Sequence, residues 1–223
     1  YFTACVFKLT IFYPFIINTV PDILKHSTPE EALPLLQLFN YLYPISKATG
    51  DFITENTFPV KLSKGQSLHE AGNICASIYF IKRGAVRGFI SDEGKDITTW
   101  ISVENEVVAS IYSFVKQVPS IENMQAIEDC EFLRMSQVDL ERLYTISPDF
   151  NIAARRVYEK YYVDSEVRAL TVRLSNAEKK YEFFLETYGH LSNRIPLTYI
   201  ASFLGMNLET LSRVRAKLKN AKK

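Results

Sequence analysis

The sequence predicts an α+β chain: an N-terminal antiparallel β-roll, one long connecting helix, and a C-terminal helix-turn-helix of the winged-helix type. Three observations carry this. Short β-branched and aromatic runs alternate with glycine-bearing breaks between Phe58 and Met135. A single helical pattern opens at Ser147-Pro148 and continues to about Leu174. The stretch from Pro196 to Arg215 spaces its small, turning and aliphatic residues as two short crossing helices require.

The elements follow in order. Thr28-Pro29-Glu30-Glu31 supplies a hydroxyl cap, a proline at the first helical position and a glutamate that reaches back to the cap. Leu35, Leu38, Phe39 and Leu42 then share one face, and Pro44 lies beyond the helix end. A second short helix is expected from Lys47 to Glu55. The strands expected are Phe58 to Leu62, Ser77 to Lys82, Ala85 to Ile90, Asp96 to Val103, Asn123 to Ile127 and Cys130 to Met135. Helices return at Ser136-Gln137-Val138-Asp139, a capping box with Asp in place of Glu.

The long helix carries two apolar stripes, Phe150, Ala154, Val157, Tyr161 and then Val163, Val167, Leu170, Leu174, which lie on different sides of the helix. One can face the roll and the other a second copy of the chain, with Val157, Tyr161, Val163, Val167 and Leu170 as candidate dimer residues. The plainer alternative is that both stripes are core of one chain. Ser175-Asn176-Ala177-Glu178 predicts the next helix start, with Tyr181, Phe184, Leu185 and Tyr188 inward and Gly189 ending it.

In the helix-turn-helix, Ile200, Leu204, Leu211 and Val214 point inward, Ala201 admits the second helix, Gly205 makes the turn and Asn207 caps. Leu208, Glu209, Ser212, Arg213 and Lys217 then face outward. An arginine there can grip guanine O6 and N7, a glutamate can accept from cytosine N4, and a serine can bond a base edge. Glu209, Ser212 and Arg213 are therefore the candidate base readers. Thr198, Thr210, Arg215, Lys217 and Lys219 are candidates for phosphate, which sets affinity and salt dependence. A surface ion pair between Glu209 and Arg213 is the plainer alternative.

Charge supports this placement. The chain as a whole balances 26 basic against 25 acidic residues, yet from Arg194 onward the net is +6. A solvated lysine-rich tail would give the same arithmetic, so the turn motif decides. At 223 residues, 47% hydrophobic and 23% charged, the composition excludes disordered and fibrous classes.

The roll, the long helix and Glu209-Thr210-Leu211-Ser212-Arg213 together resemble the Crp/Fnr family of bacterial transcription regulators. The run Tyr79-Phe80-Ile81-Lys82-Arg83-Gly84-Ala85-Val86-Arg87-Gly88 and the Gly94 turn add to the likeness, and Ile97-Thr98-Thr99-Trp100 and Ser120-Ile121-Glu122-Asn123 resemble its Bacteroidetes-type subgroup. The resemblance covers Leu33 to Lys219. Residues 1–27, apolar at their start, read as a leader rather than a working element; the resemblance implies a cyclic nucleotide-binding-like effector domain at 28–147, a dimerisation helix at 148–174 and a DNA-binding domain at 175–223. It also implies a cytoplasmic homodimer on a palindromic operator, with RNA polymerase as a further partner. Leu208 stands where the cyclic-AMP receptor protein has Arg, which changes the preference expected at that base.

Cyclic AMP is not the expected effector. Asn105-Glu106 replaces the family's Gly-Glu, and the arginine that would hold the phosphate falls on Lys116 counting forward or on Ser120 counting back. Glu122, Glu128 and Asp129 add negative charge to that stretch. Glu106, Ser110, Lys116, Ser120 and Asn123 remain the candidate contacts for a different small molecule.

No cofactor, metal site or enzyme is expected. Cys5, Cys75 and Cys130 are too few and too scattered for an iron–sulfur cluster, a zinc site or a disulfide framework, and His26, His69 and His190 are isolated. No nucleophile elbow or phosphate loop occurs. The apolar start has an uncharged run only from Leu9 to Pro21, too short for a membrane span of about 20 residues. A ligand-binding or scaffolding protein whose helical end binds protein is the other class kept open.

Overall fold

The computed structural model describes residues 25–221. The leader, Cys5, Lys222 and Lys223 lie wholly or mostly outside that range. Helices α1 (Pro29–Leu42) and α2 (Lys47–Glu55) precede β1 (Phe58–Leu62), β2 (Ser67–His69), β3 (Ser77–Arg83), β4 (Val86–Asp92), β5 (Lys95–Ser102) and β6 (Val107–Val108). Then come α3 (Ile111–Lys116), β7 (Asn123–Ala126) and β8 (Cys130–Ser136), followed by α4 (Gln137–Ile146), α5 (Pro148–Arg173), α6 (Ala177–Tyr188), α7 (Leu197–Phe203) and α8 (Leu208–Ala221).

The strands form two antiparallel four-stranded sheets, β1-β8-β3-β6 and β2-β7-β4-β5. Between them lie Ile81, Val86, Val108, Met124, Ala126, Cys130 and Phe132, the inward side chains of alternating strands. Against the outer side of the first sheet sits a helical base, where Leu35, Phe39 and Ile53 meet Phe80, Leu133 and Met135, together with Leu140, Leu143, Phe150, Ala153 and Ala154 from α4 and α5. A third cluster joins α6, α7 and α8 to three roll residues, Ala85, Ile101 and Ile127.

The caps carry much of the agreement with expectation. Thr28 and Glu31 form the reciprocal capping box of α1. Ser136 accepts from the Asp139 amide and donates 2.5 Å to its carboxylate. Ser147-Pro148 opens α5, but the Ser147 side chain makes no cap bond; Asp149 takes that part and also accepts from Ser46 N and Thr49 Oγ1 at the base of the roll.

The sequence reading needs correcting in three places. The cap of α6 is Asn176, one residue later than expected, and it accepts from Glu178 N and Lys179 N. Gly189 ends α6 as expected, though with φ −57° and not in the left-handed region, and the chain tightens there into a 3-10 turn, Gly189–Leu191. The segments β2, β6 and α3 are too short to show a period, and α3 ends on Gln117 in the left-handed region at φ 51° with no glycine to announce it. Every strand among the described residues belongs to the roll, so no β-wing flanks α7 and α8 there.

Val157 and Tyr161, grouped with the dimer residues, are occupied by the chain's own roll. Val157 packs on the helical base, and the Tyr161 hydroxyl accepts 2.6 Å from Val107 N. Val163 and Leu170 are 57% and 64% exposed, so the outward stripe begins half-way along α5.

Candidate nucleic-acid interface and roll cavity

Helices α7 and α8 are built on a dry seam. Ile200, Leu204 and Leu211 are essentially fully buried, and Ala201 and Val214 nearly so. Gly205 has φ 61°, a conformation costly for residues with a Cβ, and it reverses the chain between α7 and α8. Asn207 Oδ1 accepts 2.8 Å from Thr210 N and caps α8. With Leu211 and Val214 fixed inward, Leu208, Glu209, Ser212, Arg213 and Lys217 emerge on the opposite side, all exposed.

The basic residues differ in their engagements. Arg213 donates to Thr210 Oγ1 at 3.3 Å on its own helix. None of the ion pairs among the described residues joins it to Glu209. Lys217, placed with the phosphate contacts, pairs at 2.6 Å with Glu178 on α6. Thr198 and Lys219 are exposed; Thr210 and Arg215 are partly covered. Lys180 is a buried cation that sequence reasoning missed. Its Nζ donates to Val172 O (2.9 Å) and Leu204 O (3.0 Å), so it ties the last turn of α5 to the end of α7, where exposed helix carbonyls favour a cation.

A cavity of about 470 Å³ opens between the roll and α5. Its walls are mainly apolar and aromatic, with Trp100, Ile111, Phe114 and Val157 joined by Tyr158, Tyr161 and Tyr162. Of the five candidate effector residues only Glu106 lines it, and its carboxylate already faces Lys160 Nζ at 3.4 Å. Ser110 and Ser120 are instead bonded to each other at 2.8 Å and buried. Asn123 Oδ1 accepts from Ala71 N, which fixes a loop, and Lys116 is exposed at the end of α3. The tyrosines at i, i+3 and i+4 on α5 are the signal that could have found this wall.

Beside the cavity, Trp100 lies flat over Gly88, where a Cβ would fall 2.2 Å from the indole. Its Nε1 donates 2.9 Å to Glu122, which also accepts 2.6 Å from Thr99 Oγ1. Burial pushes the Glu122 carboxyl above its ordinary value, against the opposing pull of these donors and of Arg168. Cys75 and Cys130 are buried thiols, and burial raises both above their ordinary value. Among the described residues no group of His, Cys, Asp and Glu could hold a metal ion, and no helix is long and apolar enough to cross a membrane.

Residues 59–147 match the model of the cyclic nucleotide-binding domain. The chain is 24% identical to the transcriptional activator protein FnrA of Stutzerimonas stutzeri over 69% of its own length and 67% of that protein. It is 24% identical to the fumarate and nitrate reduction regulatory protein of Yersinia pestis over 77% and 72% of the two lengths. Among solved structures it resembles FixK2 from Bradyrhizobium japonicum, with a TM-score of 0.63 and 17% identity over 74% of this chain and 86% of that one. It also resembles a CooA mutant from Carboxydothermus hydrogenoformans, with a TM-score of 0.66 and 17% identity over 84% of each chain.

Proposed function

We propose that the chain is a transcription regulator of the Crp/Fnr family, a reading supported by its cyclic nucleotide-binding domain and its likeness to FnrA and to the fumarate and nitrate reduction regulatory protein, and that it reads a palindromic operator as a homodimer through the outward face of α8. The observation that carries this is the mounting of that face. Glu209, Ser212 and Arg213 are exposed together, and the helix behind them is pinned by the fully buried Leu204 and Leu211. A rigid helix with donors and acceptors along one side suits the major groove, whose base edges present a distinct pattern for each pair.

In this proposal α5 offers the surface on which a second copy pairs. Tyr162, Val163, Leu170 and Leu174 leave an apolar stripe at 42–68% exposure, and pairing the two stripes would bury it. Two recognition helices would then stand about one DNA turn apart, roughly 34 Å.

The effector is not a cyclic nucleotide in this reading. Where a cyclic phosphate would need a cation, Ser110 and Ser120 satisfy each other, and the partly buried Glu122 adds a carboxyl. The cavity against α5 is the place for an apolar small molecule to bias the long helices.

Fluorescence anisotropy tests the DNA reading. Full-length protein is titrated with duplexes selected from a randomised pool and with random duplex at two salt concentrations. Selective binding with a steep salt dependence is expected; absence of both refutes it.

A further inference from the structure

The reading helices are fastened to the chain's own roll by four kinds of contact on one side. Arg194, just ahead of α7, donates to both oxygens of Glu104 at 3.0 and 2.8 Å and also to Glu128. Those donors and the Gly84 amide hold the Glu104 carboxyl below its ordinary value, although burial alone would raise it. Ser202 Oγ accepts 2.9 Å from Thr98 N and donates 3.1 Å to Asp96 O. The Arg87 guanidinium, fixed by Asp96 at 2.7 Å, lies 4.0 Å from the ring centres of both Phe89 and Tyr199. Behind these, Ala85, Ile101 and Ile127 share one apolar cluster with Ile200, Leu204 and Leu211.

The site of attachment matters because β5 is an edge strand whose outer backbone groups have no neighbouring strand. Ser202 answers one N–H and one carbonyl of that edge. By contrast, the covalent route from α5 is thin. The chain leaves helical geometry at Leu174 (φ −60°, ψ 138°), and Lys180 is a polar tie across that break. The base-reading side of α8 stays exposed throughout, so the attachment does not mask it.

We propose that Arg194 and Ser202 are positioning residues that hold α7 to the β5 edge and thereby set the attitude of α8. The roll, and not the long helix alone, then dictates where bases are met. The same strand presents Trp100, Ile101 and Ser102 to the cavity, so a molecule bound there reaches α7 through a single strand. This role rests on the DNA reading above.

The test uses full-length protein with Arg194→Gln, Ser202→Ala and Arg194→Lys. It measures affinity for the duplex that the unmodified chain selects, affinity for random duplex, and amide exchange. The first two variants should lose roughly two- to thirtyfold on the selected duplex, with random duplex changed by less than about twofold because phosphate contacts are untouched. Arg194→Lys should recover part of the loss. Exchange should accelerate at Thr98 and across residues 197–203 while Leu211 and Val214 stay protected. Unchanged exchange in both variants overturns the clamp, and so does faster exchange with undiminished or tighter selective binding. A parent chain that selects no duplex overturns the DNA reading first, a result distinguishable from either.

Discussion

Replacing Gly88 with alanine should expel the indole of Trp100 from its seat. A methyl at Gly88 would lie 2.2 Å from Cε2, 2.3 Å from Nε1 and 2.7 Å from Cζ2, where contacts of 3.4–4 Å are ordinary, so the ring must retreat by more than an ångström. Overpacking of this kind costs about 1–3 kcal/mol. The retreat also breaks the 2.9 Å bond from Nε1 to Glu122, worth about 1.5–3 kcal/mol when the acceptor is charged and less when the carboxyl is protonated. The two losses share one movement and do not add fully, which gives about 2–4 kcal/mol in all. Trp100 is the chain's single tryptophan, so intrinsic emission reports this ring alone. Urea denaturation followed by emission and by circular dichroism should show a lower midpoint and a red-shifted folded state. Adding Trp100→Phe should cost less in this background than in the parent. An unshifted emission maximum with an unchanged midpoint would refute the steric reasoning.

The remaining expectations concern the reading head, the core, the dimer and pH. Arg213→Ala should relax sequence preference by about 1–3 kcal/mol, measured as the ratio of selected to random duplex affinity. Lys217→Ala should weaken all duplexes alike; its pair with Glu178 is surface-exposed, so thermal stability should change by less than about 1 kcal/mol. Leu211→Ala, at a site with no exposure, should cost about 2–5 kcal/mol in chemical denaturation. Leu170→Glu should shift sedimentation from dimer toward monomer while leaving the roll folded. Glu122→Gln should gain on the parent as pH rises. The raised carboxyl favours folding most while protonated, and that advantage fades from the ordinary pKa of about 4.3 up through the raised native value. Denaturation midpoints from about pH 4 to about pH 8 should therefore diverge in the variant's favour.

The legible parts of the fold were those written in local chemistry. Thr28 with Glu31, Ser136 with Asp139, and Gly205 with Asn207 each announce an element boundary through a bond made within a few residues. The strands β1, β3 and β8 were legible as short β-branched and aromatic runs bounded by turn residues. What stayed hidden depends on distant partners. Nothing near Ser120 reveals that Ser110 will claim it, and nothing near Arg194 reveals two acids 90 and 66 residues away. Lys180 reads as a surface lysine because its acceptors are carbonyls, which leave no trace in side-chain pattern. The outer side of α8 was legible because Leu211 and Val214 fix the helix phase, whereas the cavity is assembled from five or more elements that no window of sequence spans.

The shared apolar cluster limits how this protein can be recombined. Ala85, Ile101 and Ile127 sit in one oily patch with α6, α7 and α8. Severing the chain after α5 would leave a greasy scar on each half, and grafting this reading head onto a foreign roll would demand matching hydrophobes at those three places. Swaps that carry the scar-lining residues along should give soluble chimeras, whereas cuts made at the helix junction alone should yield aggregates.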